Sequence, residues 1–301
     1  VCGVITTFVL VHGSFCNSAA WAPTVRELTL RGHRALAVDL PGHGLGATIP
    51  TGYLGGQDPA ALAGEPSGMA GIGTADDVAA VTEVLRRARA HGPVVLVGHS
   101  RGGLTLTAVG NAVPELVDRL VYVGAWCCVA ATVSEYSAGP EDAESLLPHT
   151  GLAPLADPAR AGAIRLNWRT GDPDVLDRLQ AAVLADGTRT ELVTYLHHQE
   201  PDETIVVDEA ATRGEAATWG RIGEQEWPHT SPGVGTHCRA CVPPPHGVCG
   251  QGLDLGGRVR GCFRWYERHS RTALSDECAV RTTSWWVRLP SVAPRATQAG
   301  P

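Results

Sequence analysis

The stretch "PVVLVGHSRGG", residues 93–103, constrains this chain more than any other. Four consecutive apolar residues fit a strand buried on both faces, because a half-exposed strand would alternate polar with apolar. The run ends in Gly98-His99-Ser100-Arg101-Gly102, a serine with a glycine two places before it and another two places after. A backbone that turns from strand into helix over so few residues leaves no room for side chains at those two places, so glycine fits both. The same turn pushes the serine side chain outward, and a helix opening near Arg101 aims main-chain N–H groups at nearby negative charge. A serine hydroxyl is a weak nucleophile that needs this exposure, a base to take its proton, and donors facing the oxyanion it creates. Ser100 is therefore the candidate nucleophile; the plainer alternative is a serine that caps a helix.

The flanking sequence predicts the sheet that such a turn requires. "TFVLVHG" is another short apolar run closed by a glycine, and "SAAWAPTVRELTLRG" places Trp21, Val25 and Leu28 at helical intervals before stopping at Gly32. "HRALAVDLPGHG" reads as a second buried strand, "TADDVAAVTEVLRRARAHG" as a helix with a capping-box start at Thr74 and Asp77, and "DRLVYVGAW" as a fourth strand. Strands alternating with helices define an α/β fold built on a mainly parallel, doubly wound sheet. Residues 53–73, rich in Gly, Ala and Pro, read as a long excursion or a mobile loop near the carboxyl ends of the strands.

Three regions are expected: a core over 1–126, an all-helical cap insertion over 127–212, and the C-terminal part of the core over 213–301. Composition excludes several classes of function. With 301 residues, 44% of them hydrophobic, the chain can bury one large core, and a net charge of −7 without a basic cluster argues against a nucleic-acid partner. No apolar run reaches the roughly 18 to 20 residues that a membrane span needs, and "VCGVITTFVLVHG" lacks the basic start and cleavage site of a secretory leader. A cytoplasmic chain acting on a neutral, apolar small molecule is expected; oligomeric state is open. Nine cysteines, an odd number with five in the last 79 residues, do not form a secreted disulfide framework. No cofactor or metal is expected.

Taken with their order, "TFVLVHGSFCNSAAW", "ALAVDLPGHG" and "VVLVGHSRGG" resemble the α/β-hydrolase fold superfamily, and within it the cap-containing esterase branch of salicylate- and pyrethroid-esterase-like proteins. The resemblance covers about residues 6–222. It implies a cofactor-independent serine hydrolase, a carboxylesterase acting on a small apolar ester through an acyl-enzyme on Ser100. Lactone, amide or carbon–carbon bond hydrolysis on the same fold, and a catalytically impaired chain, are the alternatives. It also implies that His12 and Gly13 belong to an oxyanion turn, where the main-chain N–H of Ser14 or of Phe15 pairs with that of Arg101. Gly98, His99 and Gly102 complete the nucleophile elbow. An acid and then a histidine should follow in chain order.

Those two partners are where the resemblance stops. From about residue 223 the chain carries nine arginines against six acids, five of nine cysteines and four of eight tryptophans, and loses its periodicity. So many simultaneous changes at one point are what a shifted reading frame produces. His269 is the best-placed histidine, although a surface histidine is the plainer reading; the tail aspartates Asp254 and Asp276 have no evident strand leading into them, and the acid is unassigned. Cys238, Cys241, His246 and Cys249 have zinc-ligand chemistry, but their last spacing is short for a closed site. His197, His198 and Glu200 also have ligand chemistry, but adjacent histidines on a helix face apart, which favours pocket lining or exposure.

Overall fold

The computed structural model describes residues 5–54, 58–128, 131–140, 142 and 145–214, together with the backbone of 249–254 and 258–264. In chain order the first part comprises strand β1 (Thr7–Val11), helix α1 (Ala22–Leu30), strand β2 (Arg34–Val38), helices α2 (Pro59–Gly64) and α3 (Thr74–Arg89), strand β3 (Val94–Ser100), helix α4 (Gly102–Ala112) and strand β4 (Arg119–Ala125). The four strands form one parallel sheet in the order β2-β1-β3-β4. This is the α/β sheet that the apolar runs predict.

Alternation along the strands divides the core between the two faces of the sheet. Val9, Val11, Val94 and Leu96 face one way and pack with Val81 and Leu85 of α3 and Leu106 and Val109 of α4. Phe8, Leu10, Val95 and Val97 face the other way, against Trp21 and Leu28 at α1. Helix α4 is buried from Gly102 through Gly110, which explains why its sequence is apolar all round rather than striped.

After the sheet come α5 (Val133–Ser137), α6 (Pro158–Ala161), strand β5 (Ala163–Arg165), α7 (Pro173–Val183), α8 (Arg189–His197) and strand β6 (Asp202–Thr204). A third apolar cluster of Trp168, Val175, Leu179, Leu184, Leu192 and Leu196 holds this segment together, and Phe15 packs against it. The Phe15 and Trp168 rings meet edge-to-face with centroids 5.1 Å apart, joining the segment to the loop after β1. Beyond it, β7 (Cys249–Asp254) and β8 (Arg258–Arg264) pair antiparallel as a separate two-stranded sheet.

Several local expectations are corrected. Strand β2 is half exposed, with Leu36 45% accessible, because among the described strands it lies at the sheet edge. At the start of α3 the box acid is Asp76, whose side chain accepts the Gly73 N–H at 2.9 Å; Asp77 is buried and serves elsewhere. Among the described residues of the excursion, 58–73 contain α2 and bury Leu62 and Met69, so a stretch that its composition marks as loop carries a helix and apolar anchors. The 127–212 segment is not all-helical, since β5 and β6 pair antiparallel within it. A strand, β7, does lead into Asp254. His269, Asp276, Cys238, Cys241, His246 and most of the stretch read as frame-shifted lie outside the described residues.

Candidate functional site

The strand-to-helix turn has the geometry that its glycines predict. Ser100, the last residue of β3, has φ 51°, a left-handed conformation that a non-glycine residue adopts at a cost of about 1–3 kcal/mol. Pairing between β3 and β4 slips by one residue there: His99 faces Val123 and Ser100 faces Ala125, a bulge of the kind that re-aims a side chain. The Trp126 N–H donates to the Ser100 carbonyl at 3.1 Å, which holds the turn in place. A Cβ on Gly98 would stand 2.9 Å from the Gly102 carbonyl oxygen, and one on Gly102 would stand 2.6 Å from the His12 carbonyl oxygen. Both glycines are therefore required by close approach.

The loop after β1 lies against this turn. A Cβ on Gly13 would come within 2.8 Å of both Ser100 Cβ and His99 Nδ1, so glycine lets the "HGSF" loop reach the serine. His12, 1% exposed, donates through Nδ1 to the Gly13 carbonyl at 2.9 Å and accepts the Leu40 N–H through Nε2 at 3.1 Å. Burial, with the positive charge of His43 nearby, pushes its imidazole down to about 4. With both nitrogens engaged in a neutral ring, His12 is a structural strut. Among the described residues no histidine is hydrogen-bonded to Ser100 Oγ.

Beneath the loop is a buried charge network that sequence reasoning missed. His43, in the "PGHG" turn after β2, meets Glu200 Oε2 through Nδ1 at 2.7 Å and Glu203 Oε1 through Nε2 at 3.6 Å. Glu200 also accepts from Asn17 Nδ2 at 2.7 Å and from the Gly44 N–H at 2.9 Å. Arg101 reaches Asp77 Oδ2 at 3.2 Å and Glu203 Oε1 at 3.6 Å. Burial alone would lower the His43 pKa, but the two glutamates outweigh it and raise the imidazole to about 9. Burial would raise Glu203, yet the His43 contact and the Arg101 charge hold its carboxyl down at about 2. For Asp77 burial prevails over the opposing charge of Arg101, and the carboxyl is raised.

Phe15 also has a left-handed backbone, at φ 58°, and its peptide groups are held from both sides. Its N–H donates to Glu203 Oε2 at 3.0 Å, and its carbonyl accepts the Glu200 N–H at 2.7 Å. Of the two amides that the sequence offers as oxyanion donors, that of Phe15 is thus already engaged. Glu200, read from sequence beside His197 and His198, is turned inward to His43, while the two histidines are exposed and His198 Nδ1 bonds to the Thr194 carbonyl at 2.7 Å. Among the described residues no cluster of three or more His, Cys, Asp or Glu is arranged to hold a metal ion. Nor is any described helix long and apolar enough to cross a membrane.

A parallel sheet with a left-handed serine at the junction of a central strand and a buried helix, faced by a glycine-dependent loop, defines the class of protein. The model of the alpha/beta hydrolase fold family matches residues 6–195, and the chain belongs to that family. Among curated relatives, a pyrethroid hydrolase of Sphingobium wenxiniae is 26% identical over 145 residues, covering 48% of this chain and 45% of that protein. Esterase PIR7B of Oryza sativa subsp. japonica is 30% identical over 120 residues, covering 39% of this chain and 38% of the relative. The chain therefore spans less than half the length of the curated relatives it matches. Among solved structures, a variant of tomato methylketone synthase I complexed with beta-ketoheptanoate has a TM-score of 0.52 at 16% identity, covering 74% of this chain and 77% of that one. A variant of PytH has a TM-score of 0.50 at 21% identity, covering 72% and 74%. These two likenesses concern the fold.

Proposed function

We propose that this chain is a cofactor-independent serine hydrolase that cleaves carboxylic esters of small apolar molecules. The observation that carries the reading is the left-handed Ser100 at the β3–α4 junction, because strain of that kind persists where the surrounding structure holds a side chain to a task. In this mechanism Ser100 Oγ attacks the ester carbonyl carbon while a histidine accepts its proton. The negative oxygen is bound by the main-chain N–H groups of Ser14 and Arg101, Ser14 being preferred over Phe15 because the Phe15 amide serves Glu203. The histidine returns the proton to the departing alcohol, and water releases the acid. With His12 occupied as a strut, the base must come from another part of the chain, and His269 is the residue the sequence nominates. The names of the pyrethroid hydrolase and esterase relatives support an ester as substrate. A cytoplasmic location accompanies this reading.

The second reading is a catalytically impaired chain, an elbow without a working base, since among the described residues no histidine is hydrogen-bonded to Ser100 Oγ. Labelling with a fluorophosphonate probe separates the two readings. The hydrolase reading expects covalent labelling that disappears in Ser100→Ala; a folded protein that does not label would refute it.

A further inference from the structure

We infer that Glu203 is a positioning residue that ties the two halves of the oxyanion site together, its one carboxylate fixing the Phe15 peptide next to Ser14 and the guanidinium of Arg101. This inference rests on the hydrolase reading, because it concerns the two amides that reading uses. Glu203 is 3% exposed, a carboxylate almost wholly withdrawn from water, and such a group is kept where several partners satisfy it. Its Oε2 accepts the Phe15 N–H at 3.0 Å, and its Oε1 stands 3.6 Å from both Arg101 Nε and His43 Nε2. One carboxylate thus touches the residue that follows the first donor and the side chain of the second.

The two donors come from different loops, one after β1 and one after β3, and nothing in either loop's own sequence sets the distance between them. Oxyanion donors act through preorganisation, so a displacement of either loop that leaves both amides intact still weakens them. The Phe15 conformation shows the restraint: a bulky residue is held at φ 58° with its N–H bonded to Glu203 and its carbonyl to Glu200, both in the segment that returns from α8 to β6. A negative group so near a developing oxyanion would oppose it if isolated. Here it is not isolated, because two cations, Arg101 and His43, face Glu203.

The test measures the rate and the end point of fluorophosphonate labelling in the full chain, with Glu203→Gln, Arg101→Met and the double variant. Arg101→Met keeps the main-chain N–H and removes only the guanidinium. Each single variant should label at least about tenfold more slowly, a fraction of the 10²–10³ lost with a whole donor. The end point should match wild type, and the double variant should be no slower than the slower single, because both remove one link. A lowered end point with an unchanged rate would mean a folding role only, and rates within about twofold of wild type, or multiplied losses in the double variant, would also overturn the assignment. Amide exchange of the wild type needs no variant: the Phe15 N–H should be protected, and exchange as fast as a free loop amide would refute the clamp. An unlabelled wild type overturns the hydrolase reading and this inference with it, whereas equal labelling of wild type and variants overturns this inference alone.

Discussion

Replacing Arg165 with methionine should destabilise the protein strongly and loosen the segment that carries Glu200 and Glu203. Arg165 is 1% exposed and grips Asp202 with two bonds, Nε to Oδ1 and Nη2 to Oδ2, both 2.6 Å. Its remaining donors reach the carbonyls of Leu62 at 2.6 Å, Glu65 at 2.7 Å and Pro66 at 3.4 Å, pinning the end of α2 to the β5–β6 pair. Arg165→Met removes all five contacts and leaves the Asp202 carboxylate, 5% exposed, with the Ser67 hydroxyl at 2.7 Å. Removing one partner of a buried pair costs about 3–5 kcal/mol, because the remaining charge is stranded away from water. With a urea slope of about 2–3 kcal/mol/M, the unfolding midpoint should fall by roughly 1–2 M. The double replacement Arg165→Met with Asp202→Leu should recover much of the loss, because an apolar pair leaves no stranded charge. A single-variant cost below about 1 kcal/mol at unchanged slope would refute the reasoning, since a pair worth so little is not a buried pin.

Stability should also vary with pH in a way set by the charge network. The folded His43 pKa, about 9, lies above its ordinary 6.5, so its contribution is complete below pH 6.5 and is lost as pH rises through 9. Glu203 is the reverse: at about 2 against an ordinary 4.5, its contribution is complete above 4.5 and is lost as pH falls towards 2. Thermal melting across pH should therefore show a plateau between these limits, and His43→Asn should flatten the alkaline fall, which for His43 is on the order of 3 kcal/mol. An unchanged alkaline slope in that variant would count against a protonated, paired His43. Gly13→Ala places a methyl group 2.8 Å from Ser100 Cβ, so it should cost about 1–3 kcal/mol and slow phosphonate labelling; wild-type labelling would mean that the loop yields freely.

The sequence by itself determined what depends on short-range pattern. Apolar runs of strand length, glycines at the turn and helical spacing between them specify β1, β3, α4 and the serine that joins the last two, because each signal and its cause lie within a few residues. The exposure of β2 and the anchoring of α2 were not legible, since the first depends on which strand lies at the edge and the second on Arg165, a hundred residues away. The charge network was equally invisible. Phe15 and Glu203 are 188 positions apart, and His43 and Glu200 are 157 apart. A histidine in a Pro-Gly turn and two glutamates after a helix look like ordinary surface residues in one dimension. Only packing takes them out of water, and once the solvent is gone their charges must find one another.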